Sequence, residues 1–278
     1  MNITDIERAL IKRYRSKLYR PFVQAINKYE LLKEGDSVAV CMSGGKDSFV
    51  LAKLFQELKR HGKINFDVKY IVMNPGFNKA NLDMLIKNAE IMQIPIIIKE
   101  SNIFKVAYDL GKDHPCYLCA KMRRGFLYDF AKELGCNKIA LGHHFNDVIE
   151  TTLLNVIYSG TFKTMPPKLN STNHPGMELI RPMVMIREND IKNYINYCEI
   201  TPMNCGCPVA SGEIPSKRKK MKELINELKK DYVDCDKSIY NAAENVNLNC
   251  VMGWVLGDEK HSFLENYDKI INEENNEE

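Results

Sequence analysis

One hexapeptide, Ser43-Gly-Gly-Lys-Asp-Ser48, limits the folds open to this chain because it joins a strand pattern to a helix pattern. The apolar run from Ser37 to Met42 predicts a buried strand, and the stretch from Asp47 to about His61 predicts an amphipathic helix. Two glycines let the backbone approach an anion closely, and the N–H groups at a helix start point toward that anion. The alternative is an ordinary glycine-rich turn with a helix cap. The full hexapeptide in this context favours a phosphate-binding loop.

Strand and helix patterns alternate along the middle of the chain, which predicts a doubly wound α/β fold with a mainly parallel, five-stranded sheet. The later strands are predicted at Phe66–Met73, Ile94–Ile98, Lys138–Leu141 and Leu179–Pro182. We expect four regions: a basic N-terminal helix at 1–30, the α/β domain at 31–190, a helical region at 191–256, and an acidic, disordered tail at 257–278. The chain has no internal repeat.

Charge is distributed unevenly, although the net charge is only +3. Residues 1–20 carry six Lys or Arg against two acids, and residues 216–230 carry seven against two. Such basic segments either bind a polyanion or simply solvate a helix face. No apolar run reaches the roughly 18 residues that cross a bilayer, and the N-terminus has no secretory pattern. We therefore expect a cytoplasmic protein without a membrane partner.

Four of the nine cysteines are clustered in two pairs, Cys116 with Cys119 and Cys205 with Cys207. In a reducing compartment, clustered cysteines favour metal binding or redox chemistry over a disulfide framework. The scattered cysteines are expected to be packing residues; they are Cys41, Cys136, Cys198, Cys235 and Cys250.

Together these motifs resemble a known family. The hexapeptide is similar to the PP-loop of the N-type ATP-pyrophosphatases, which have a HUP-like fold. Within that class, the chain resembles the tRNA 2-thiocytidine synthetase (TtcA) family over residues 5 to 250. The motifs that carry this likeness are Cys116-Tyr-Leu-Cys119, Met122-Arg-Arg-Gly125, Leu141-Gly-His-His144, Lys163-Thr-Met-Pro-Pro-Lys168 and Ile180-Arg-Pro182.

The resemblance implies an ATP site with Asp47, Asp147 and Lys46 in catalytic roles, together with Mg²⁺. The residues implied to bind ATP are Ser43, Gly44, Gly45, Lys46, Asp47, Ser48, Met73, Gly142 and His143. The chain departs from the family pattern at Asn146, where a first aspartate is expected, so the metal role is assigned to Asp147. For His143 and His144, the alternative is a pair of strand-end histidines satisfied by the backbone.

The resemblance also implies a [4Fe-4S] cluster held by Cys116, Cys119 and Cys207, with Cys205 as the alternate third ligand. Thiolates suit iron and zinc alike, so the ligand type leaves the metal open. A structural zinc held by all four cysteines is the alternative.

The implied reaction is ATP-dependent thiolation of tRNA, in which the C2 oxygen of a base, cytidine 32, is adenylated and then replaced by sulfur. The expected partners are tRNA, a sulfur donor such as a cysteine desulfurase, and a second copy of the chain. Expected RNA contacts are Arg8, Lys12, Arg13, Arg20, Arg123 and Arg124. The last two residues bind a phosphate of ATP or RNA, or are simply surface arginines. The alternatives are a lysidine-synthetase-like adenylase without sulfur transfer and a zinc-stabilised RNA-binding adaptor.

Overall fold

A six-stranded sheet forms the centre of the protein in a computed structural model that describes residues 1–103, 106, 115–203, 217–265 and 267, without the side chains of 115–120. The strand order is β3-β2-β1-β4-β6-β5, and every neighbouring pair is parallel except β5 with β6. The strands are β1 Ser37–Met42, β2 Asp67–Asn74, β3 Ile96–Glu100, β4 Lys138–Ala140, β5 Lys168–Asn170 and β6 Glu178–Ile180. The predicted fold class is confirmed, but the sheet has six strands instead of five, because the short edge strand β5 has no sequence signal of its own.

Helices cover both faces of this sheet, as a doubly wound fold requires. The described helices of the chain are α1 Ile3–Arg8, α2 Arg20–Lys28, α3 Lys46–His61, α4 Lys79–Ile91, α5 Pro115–Glu133, α6 Phe145–Ser159, α7 Glu188–Tyr197, α8 Lys217–Asp231 and α9 Cys235–Ala242. No helix in the described part of the chain has the length and apolarity of a membrane span.

The N-terminal segment differs from the single helix expected at 1–30. Two π-helical stretches, Ala9–Arg13 and Arg15–Tyr19, separate α1 from α2. Pro21 lies in the first turn of α2 and has no N–H to donate to the carbonyl of Lys17, so a regular α-helical ladder cannot run through this point.

The chain divides into two compact units, residues 1–224 and 225–278. The first unit contains the six-stranded sheet and helices α1 to α7. The second contains α9 and an antiparallel hairpin of β7, Gly253–Leu256, and β8, Glu259–Ser262. Strand β8 thus lies at the start of the segment expected to be an acidic, disordered tail, and residues 268–278 are outside the described part of the chain.

Strand β1 divides the apolar core because its side chains alternate between two faces. Val38 and Val40 belong to one buried cluster, which contains α3 and the N-terminal helices. Ala39 and Cys41 belong to the other, under α5. The carboxyl end of β1 is therefore buried on both sides, which fixes the position of the loop that follows it.

A buried cation fastens the N-terminal segment to α3. The side chain of Lys53 is fully buried. Its Nζ donates to Glu7 Oε1 at 2.8 Å, to Gln56 Oε1 at 2.6 Å and to the Met92 carbonyl at 3.3 Å. A buried ammonium needs such partners, because an uncompensated charge in the interior is costly.

Candidate active site

The loop Ser43–Ser48 leaves β1 and enters α3. Gly44 has a φ of +81°, which side chains rarely adopt, and Gly45 caps α3 in an extended conformation. The Ser48 hydroxyl donates to the Gly45 carbonyl at 2.8 Å. Because the first N–H groups of a helix have no intrahelical acceptor, this turn presents donors and a positive dipole end to an anion.

A second chain segment packs directly on this loop. The Met203 N–H donates to the Gly44 carbonyl at 2.9 Å, and a Cβ built on Gly44 would lie 3.0 Å from Met203 Cε. The glycine is therefore required both by its backbone angle and by the close approach of Met203.

A cavity of about 430 Å³ opens beside the loop, at the carboxyl ends of β1, β2 and β4. It is lined by the predicted site residues Ser43, Asp47, Ser48, Met73, Arg123, Arg124, Gly142, His143 and Asp147. Five further lining residues are Cys41, Met42, Leu127, Ile139 and Leu141, and they give the cavity an apolar wall. The sequence analysis did not assign these five to the site, although four of them lie in the predicted strands that end at the cavity, which is the signal that identifies them.

Gly142 allows β4 and α3 to meet at this cavity. A Cβ built on Gly142 would lie 3.2 Å from the carbonyl carbon of Asp47 and 3.3 Å from the Asp47 Cβ. These distances are tighter than most real Cβ contacts, and the nearest atom is backbone. A larger residue would therefore push α3 away from the end of β4.

Two carboxylates face each other across His144. This histidine caps α6: its Nδ1 accepts from the Asp147 N–H at 3.3 Å, and Asp147 Oδ2 accepts from the His144 N–H at 3.0 Å. Its Nε2 is 3.7 Å from Asp47 Oδ1, a buried oxygen that has no hydrogen-bond partner among the described residues. An unsatisfied carboxylate oxygen near a second carboxylate is a donor set that suits Mg²⁺ together with phosphate oxygens.

Asn146, the departure from the family pattern, has a structural partner. Its Oδ1 accepts a hydrogen bond of 3.0 Å from the N–H of Glu188, the first residue of α7. The amide thereby satisfies a free N–H at the start of that helix. The side chain is engaged in connecting α6 to α7, so Asp147 is the residue of this turn that lines the cavity.

Lys46 is held by two acids. Its Nζ is 3.0 Å from Asp47 Oδ2 and 3.3 Å from Glu188 Oε1. Burial opposes the charge on Lys46, but Asp47 and Glu188 outweigh burial and raise its pKa. Lys46 is therefore a cation at neutral pH.

Glu188 forms ion pairs with lysines of three helices. The sequence analysis did not identify this residue. Besides Lys46, it contacts Lys222 of α8 at 2.5 Å and Lys192 of α7 at 3.2 Å. Burial alone would raise the pKa of Glu188, but the hydrogen bond from Lys222 and the neighbouring lysine charges lower it to about 2. Glu188 thus holds the ammonium group of Lys46 at the start of α3.

Arg218, in the first turn of α8, contacts the other predicted catalytic acid. Its Nη1 donates to Asp147 Oδ1 at 3.1 Å and its Nη2 to the Thr151 hydroxyl at 3.0 Å. Arg218 belongs to the basic segment 216–230, but its pairing with a residue 71 positions earlier has no local sequence signal.

Arg123, Arg124 and His143 line the cavity, and the charge of the buried Arg181 acts on this group without lining it. Burial and the charge of Arg181 lower the pKa of His143 to about 4, so this histidine is neutral at physiological pH. Burial and the charge of Arg124 lower the pKa of Arg181 to about 10. Within the described residues, no carboxylate forms an ion pair with Arg123, Arg124 or Arg181. This part of the cavity can accept an anionic group of a substrate.

The predicted cluster ligands fall mainly outside the described residues. Cys116 and Cys119 lie in the first turns of α5, but their side chains are not described, and Cys205 and Cys207 lie outside the described ranges. The described side chains contain no group of three His, Cys, Asp or Glu arranged for a metal ion. Of the expected packing cysteines, Cys41, Cys136, Cys198 and Cys235 are buried, whereas Cys250 is exposed.

The expected N-terminal RNA contacts lie on the surface. Arg8, Lys12, Arg13 and Arg20 are all exposed. The Arg13 guanidinium lies 4.6 Å from the centre of the Tyr197 ring. These residues are brought together by the N-terminal segment and do not line the cavity.

Comparisons with known proteins identify the family of this chain and several relatives. The sequence matches the family described as PP-loop domain (ATP_bind_3) over residues 14–203. The tRNA-cytidine(32) 2-sulfurtransferase of Acinetobacter baylyi is 36% identical over 237 residues, which cover 83% of this chain and 76% of the relative. The protein of that name from Tolumonas auensis is 35% identical over 248 residues, covering 88% and 80%.

A solved structure has the same fold. The U34-tRNA thiolase NcsA from Methanococcus maripaludis, determined with its [4Fe-4S] cluster, has a TM-score of 0.64 and 23% sequence identity to this chain. The superposition covers 84% of this chain and 80% of the thiolase.

Proposed function

This chain belongs to the PP-loop domain family, and we propose on that premise that it uses ATP to replace the C2 oxygen of a cytidine in tRNA by sulfur. The observation that carries the proposal is the shared cavity, in which the PP-loop, Asp47, Asp147 and the arginines of α5 meet. The two relatives compared above are sulfurtransferases that act on tRNA cytidine 32, so cytidine 32 is the substrate position assigned here.

Adenylation is the first step. The pyrophosphate end of ATP binds the loop Ser43–Ser48, and the adenine occupies the apolar wall near Met73. The C2 oxygen of the base attacks the α-phosphorus; the new O–P bond forms as the bond to pyrophosphate breaks. Lys46 and the N-terminus of α3 stabilise the charge that develops on pyrophosphate. Asp47 and Asp147 would hold Mg²⁺, which supplies further charge neutralisation.

Sulfur transfer is the second step. The adenylated oxygen leaves as AMP, which is a far better leaving group than the free oxygen. A [4Fe-4S] cluster held by Cys116, Cys119 and Cys207, with Cys205 as the alternate third ligand, would supply an open iron position for sulfide. Sulfide attacks C2, and the C2–S bond forms as the C2–O bond to AMP breaks. A donor such as a cysteine desulfurase delivers the sulfur as a persulfide, and a thiol reductant supplies the two electrons that release it as sulfide. His143 and the apolar wall limit the access of water to the adenylate.

Two connections support the placement of cysteines close to the cavity. Arg123 follows Cys119 by about one helical turn on α5, and Arg123 lines the cavity. Met203, which precedes Cys205 by two residues and Cys207 by four, donates its N–H to the Gly44 carbonyl of the PP-loop. Described residues next to both cysteine pairs along the chain therefore contact the loop or line the cavity.

Three alternatives differ in their metal and product. A lysidine-like adenylase would release pyrophosphate without needing cysteines. A zinc-stabilised RNA-binding adaptor would bind tRNA without releasing pyrophosphate. A zinc site would need all four clustered cysteines.

Single Ser variants of the four cysteines test the proposal. We expect Cys116→Ser, Cys119→Ser and Cys207→Ser to lose iron, visible absorption and thiolated cytidine, because the loss of one ligand destabilises the whole cluster. ATP binding should remain. Cys205→Ser should keep the cluster, and it is the matched control. Equal metal loss in all four variants, with zinc and no iron in the native protein, would overturn the sulfur-transfer mechanism.

A further inference from the structure

The end of α6 and the loop after it expose aromatic side chains. Tyr158 is 41% exposed and Phe162 is 51% exposed. Lys217 lies beside Tyr158, with its Nζ 4.8 Å from the centre of the ring. We refer to Tyr158, Phe162, Lys163 and Lys217 as the aromatic platform. None of these residues lines the cavity described above.

The platform is supported by a fixed loop. Gly160 ends α6 in the left-handed conformation, with a φ of +60°. The Asn155 amide donates to the Lys163 carbonyl at 2.9 Å, and the Thr152 hydroxyl donates to that of Thr164 at 2.9 Å. Such bonds hold the loop before any partner arrives, so little ordering entropy is lost when the exposed ring is covered.

The stretch of chain that carries Tyr158 and Phe162 has positive but no negative side chains. The chain contains no Asp or Glu from Thr151 to Met177, and this stretch contributes Lys163 and Lys168. Lys217 adds a third cation from α8. Exposed aromatic rings among cations without acids match a partner that combines flat apolar faces with negative charge.

The proposed reaction requires such a partner. The C2 oxygen of cytidine lies on the base-pairing edge, so the target base must be unpaired and drawn out of the stack before it can react. The neighbouring bases then lose their own stacking partners. Exposed aromatic side chains restore that stacking in many single-stranded RNA sites.

We propose that the aromatic platform binds unpaired bases that flank the target cytidine in the tRNA. Asp147 of the cavity and Tyr158 of the platform lie 11 positions apart on α6, which places them about 16 Å apart along the helix axis. That separation corresponds to a few nucleotides of single-stranded RNA. The inference rests on the proposed function, since it assigns part of the substrate of that reaction.

A second copy of the chain fits this surface less well. A two-fold interface would bring Lys163 and Lys217 of both copies together, and the stretch from Thr151 to Met177 offers no acid to neutralise them. The negative charge of an RNA backbone removes this repulsion.

Binding of an unmodified tRNA transcript that contains cytidine 32 tests the inference. Phe162→Ala should weaken binding about tenfold, within the range measured for loss of one stacked base, and leave the salt dependence unchanged. Phe162→Tyr should bind like the native protein. Lys163→Gln should reduce the salt slope by roughly 0.7. Ile157→Ala is the matched control, because Ile157 is 52% exposed nearby but has no ring.

Each outcome has a distinct meaning. Native binding with Phe162→Ala would overturn the platform, while the proposed function would stand. Absence of tRNA binding by the native protein would overturn the proposed function itself. If Phe162→Ala and Ile157→Ala both convert a dimer to a monomer in sedimentation, the patch is an interface between two copies and the RNA assignment is wrong. ATP binding, measured in parallel, should be the same in all four variants.

Discussion

Arg218 Nη1 lies 3.1 Å from Asp147 Oδ1, so an arginine forms an ion pair with one of the two acids that line the cavity beside the phosphate-binding loop. A divalent cation at Asp147 would lie next to this guanidinium, and like charges repel at such distances. Binding of Mg²⁺ at Asp147 therefore requires Arg218 to move away from the carboxylate.

Arg218→Gln should accordingly lower the Mg²⁺ concentration that gives half-maximal ATP binding. We expect a decrease of about two- to fivefold, because the ion pair is partly exposed and such pairs are weak. Lys220→Gln, on the same helix and with the same charge change, should leave the Mg²⁺ requirement unchanged. Titration of Mg²⁺ at fixed ATP measures both, and an increased requirement in Arg218→Gln would contradict competition at Asp147.

Asp47→Asn should reduce tRNA-dependent pyrophosphate release by at least about 100-fold, because the unsatisfied Oδ1 of this residue is where charge is stabilised. The melting temperature should stay close to the native value, since no described hydrogen bond uses Oδ1 and the Lys46 ion pair at Oδ2 is partly exposed and therefore weak. Asp83→Asn makes the same substitution at an exposed position on α4 and serves as the control. Normal pyrophosphate release by Asp47→Asn would remove Asp47 from the active site.

Gly142→Ala should displace the start of α3, because the added methyl group would meet the backbone of Asp47 at 3.2 Å. We expect a loss of about 10- to 100-fold in pyrophosphate release, as small misplacements of reacting groups are costly. Gly125→Ala, where nothing lies within 4 Å, should instead raise the free energy of unfolding by about 0.5–1 kcal/mol and leave activity intact. Similar effects of the two substitutions would contradict a special role for Gly142.

Glu188 should make the protein sensitive to acid. Its pKa is lowered to about 2, so it contributes stability that is present above its unfolded pKa near 4.5 and is lost as the pH falls through about 2. Glu188→Gln should cost about 2 kcal/mol of unfolding free energy at pH 7, after allowance for solvent screening. This difference from the native protein should shrink as the pH falls from 4.5 toward 2.

Urea unfolding at several pH values measures the effect of Glu188. Asp190→Asn is the control, because burial raises the pKa of Asp190 and its contribution has the opposite sign. A constant difference between Glu188→Gln and the native protein down to pH 2 would show that Glu188 is not held as an anion by its lysines.

The basic N-terminal segment should contact tRNA phosphates. Replacing Lys12, Arg13 and Arg20 together with Gln should weaken tRNA binding and reduce its salt slope by roughly 2–3. Replacing three exposed lysines elsewhere with Gln should have a smaller effect on tRNA affinity and on the salt slope; these lysines are Lys63, Lys79 and Lys87. Unchanged affinity and slope in the N-terminal variant would mean that this segment is only solvated.

The sequence was most informative where one local signal carries the structure. The run Ser37–Met42 and the hexapeptide after it predicted a buried strand, a turn and a helix, because each depends on neighbouring residues alone. Strand β5 was missed, since its three residues have no alternating pattern and gain their order by pairing with β6. The interruption of the N-terminal helix was also missed, although Pro21 was the available signal.

For the site, the residues within motifs were predictable and their partners were not. The cavity collects Asp47, Met73 and Asp147, as expected from strand and helix ends that meet at one sheet edge. Glu188 and Arg218 reach those residues from distant parts of the chain, and a contact across 71 positions leaves no periodic pattern. The role of Asn146 as the cap of α7 likewise depends on the tertiary fold.

The buried Lys53 has a consequence for the proposed selection of one cytidine in tRNA. Withdrawing Glu7 from Lys53 would leave a charge unpaired in the apolar interior, at a cost of about 3–5 kcal/mol. The N-terminal segment, which carries Lys12 and Arg13, is therefore held in a fixed position relative to α3, whose first residues belong to the phosphate-binding loop. If this segment binds RNA phosphates, the distance from those phosphates to the reacting base is constant. A cytidine is then selected by its position in the folded RNA, and the identity of the neighbouring bases does not have to be recognised.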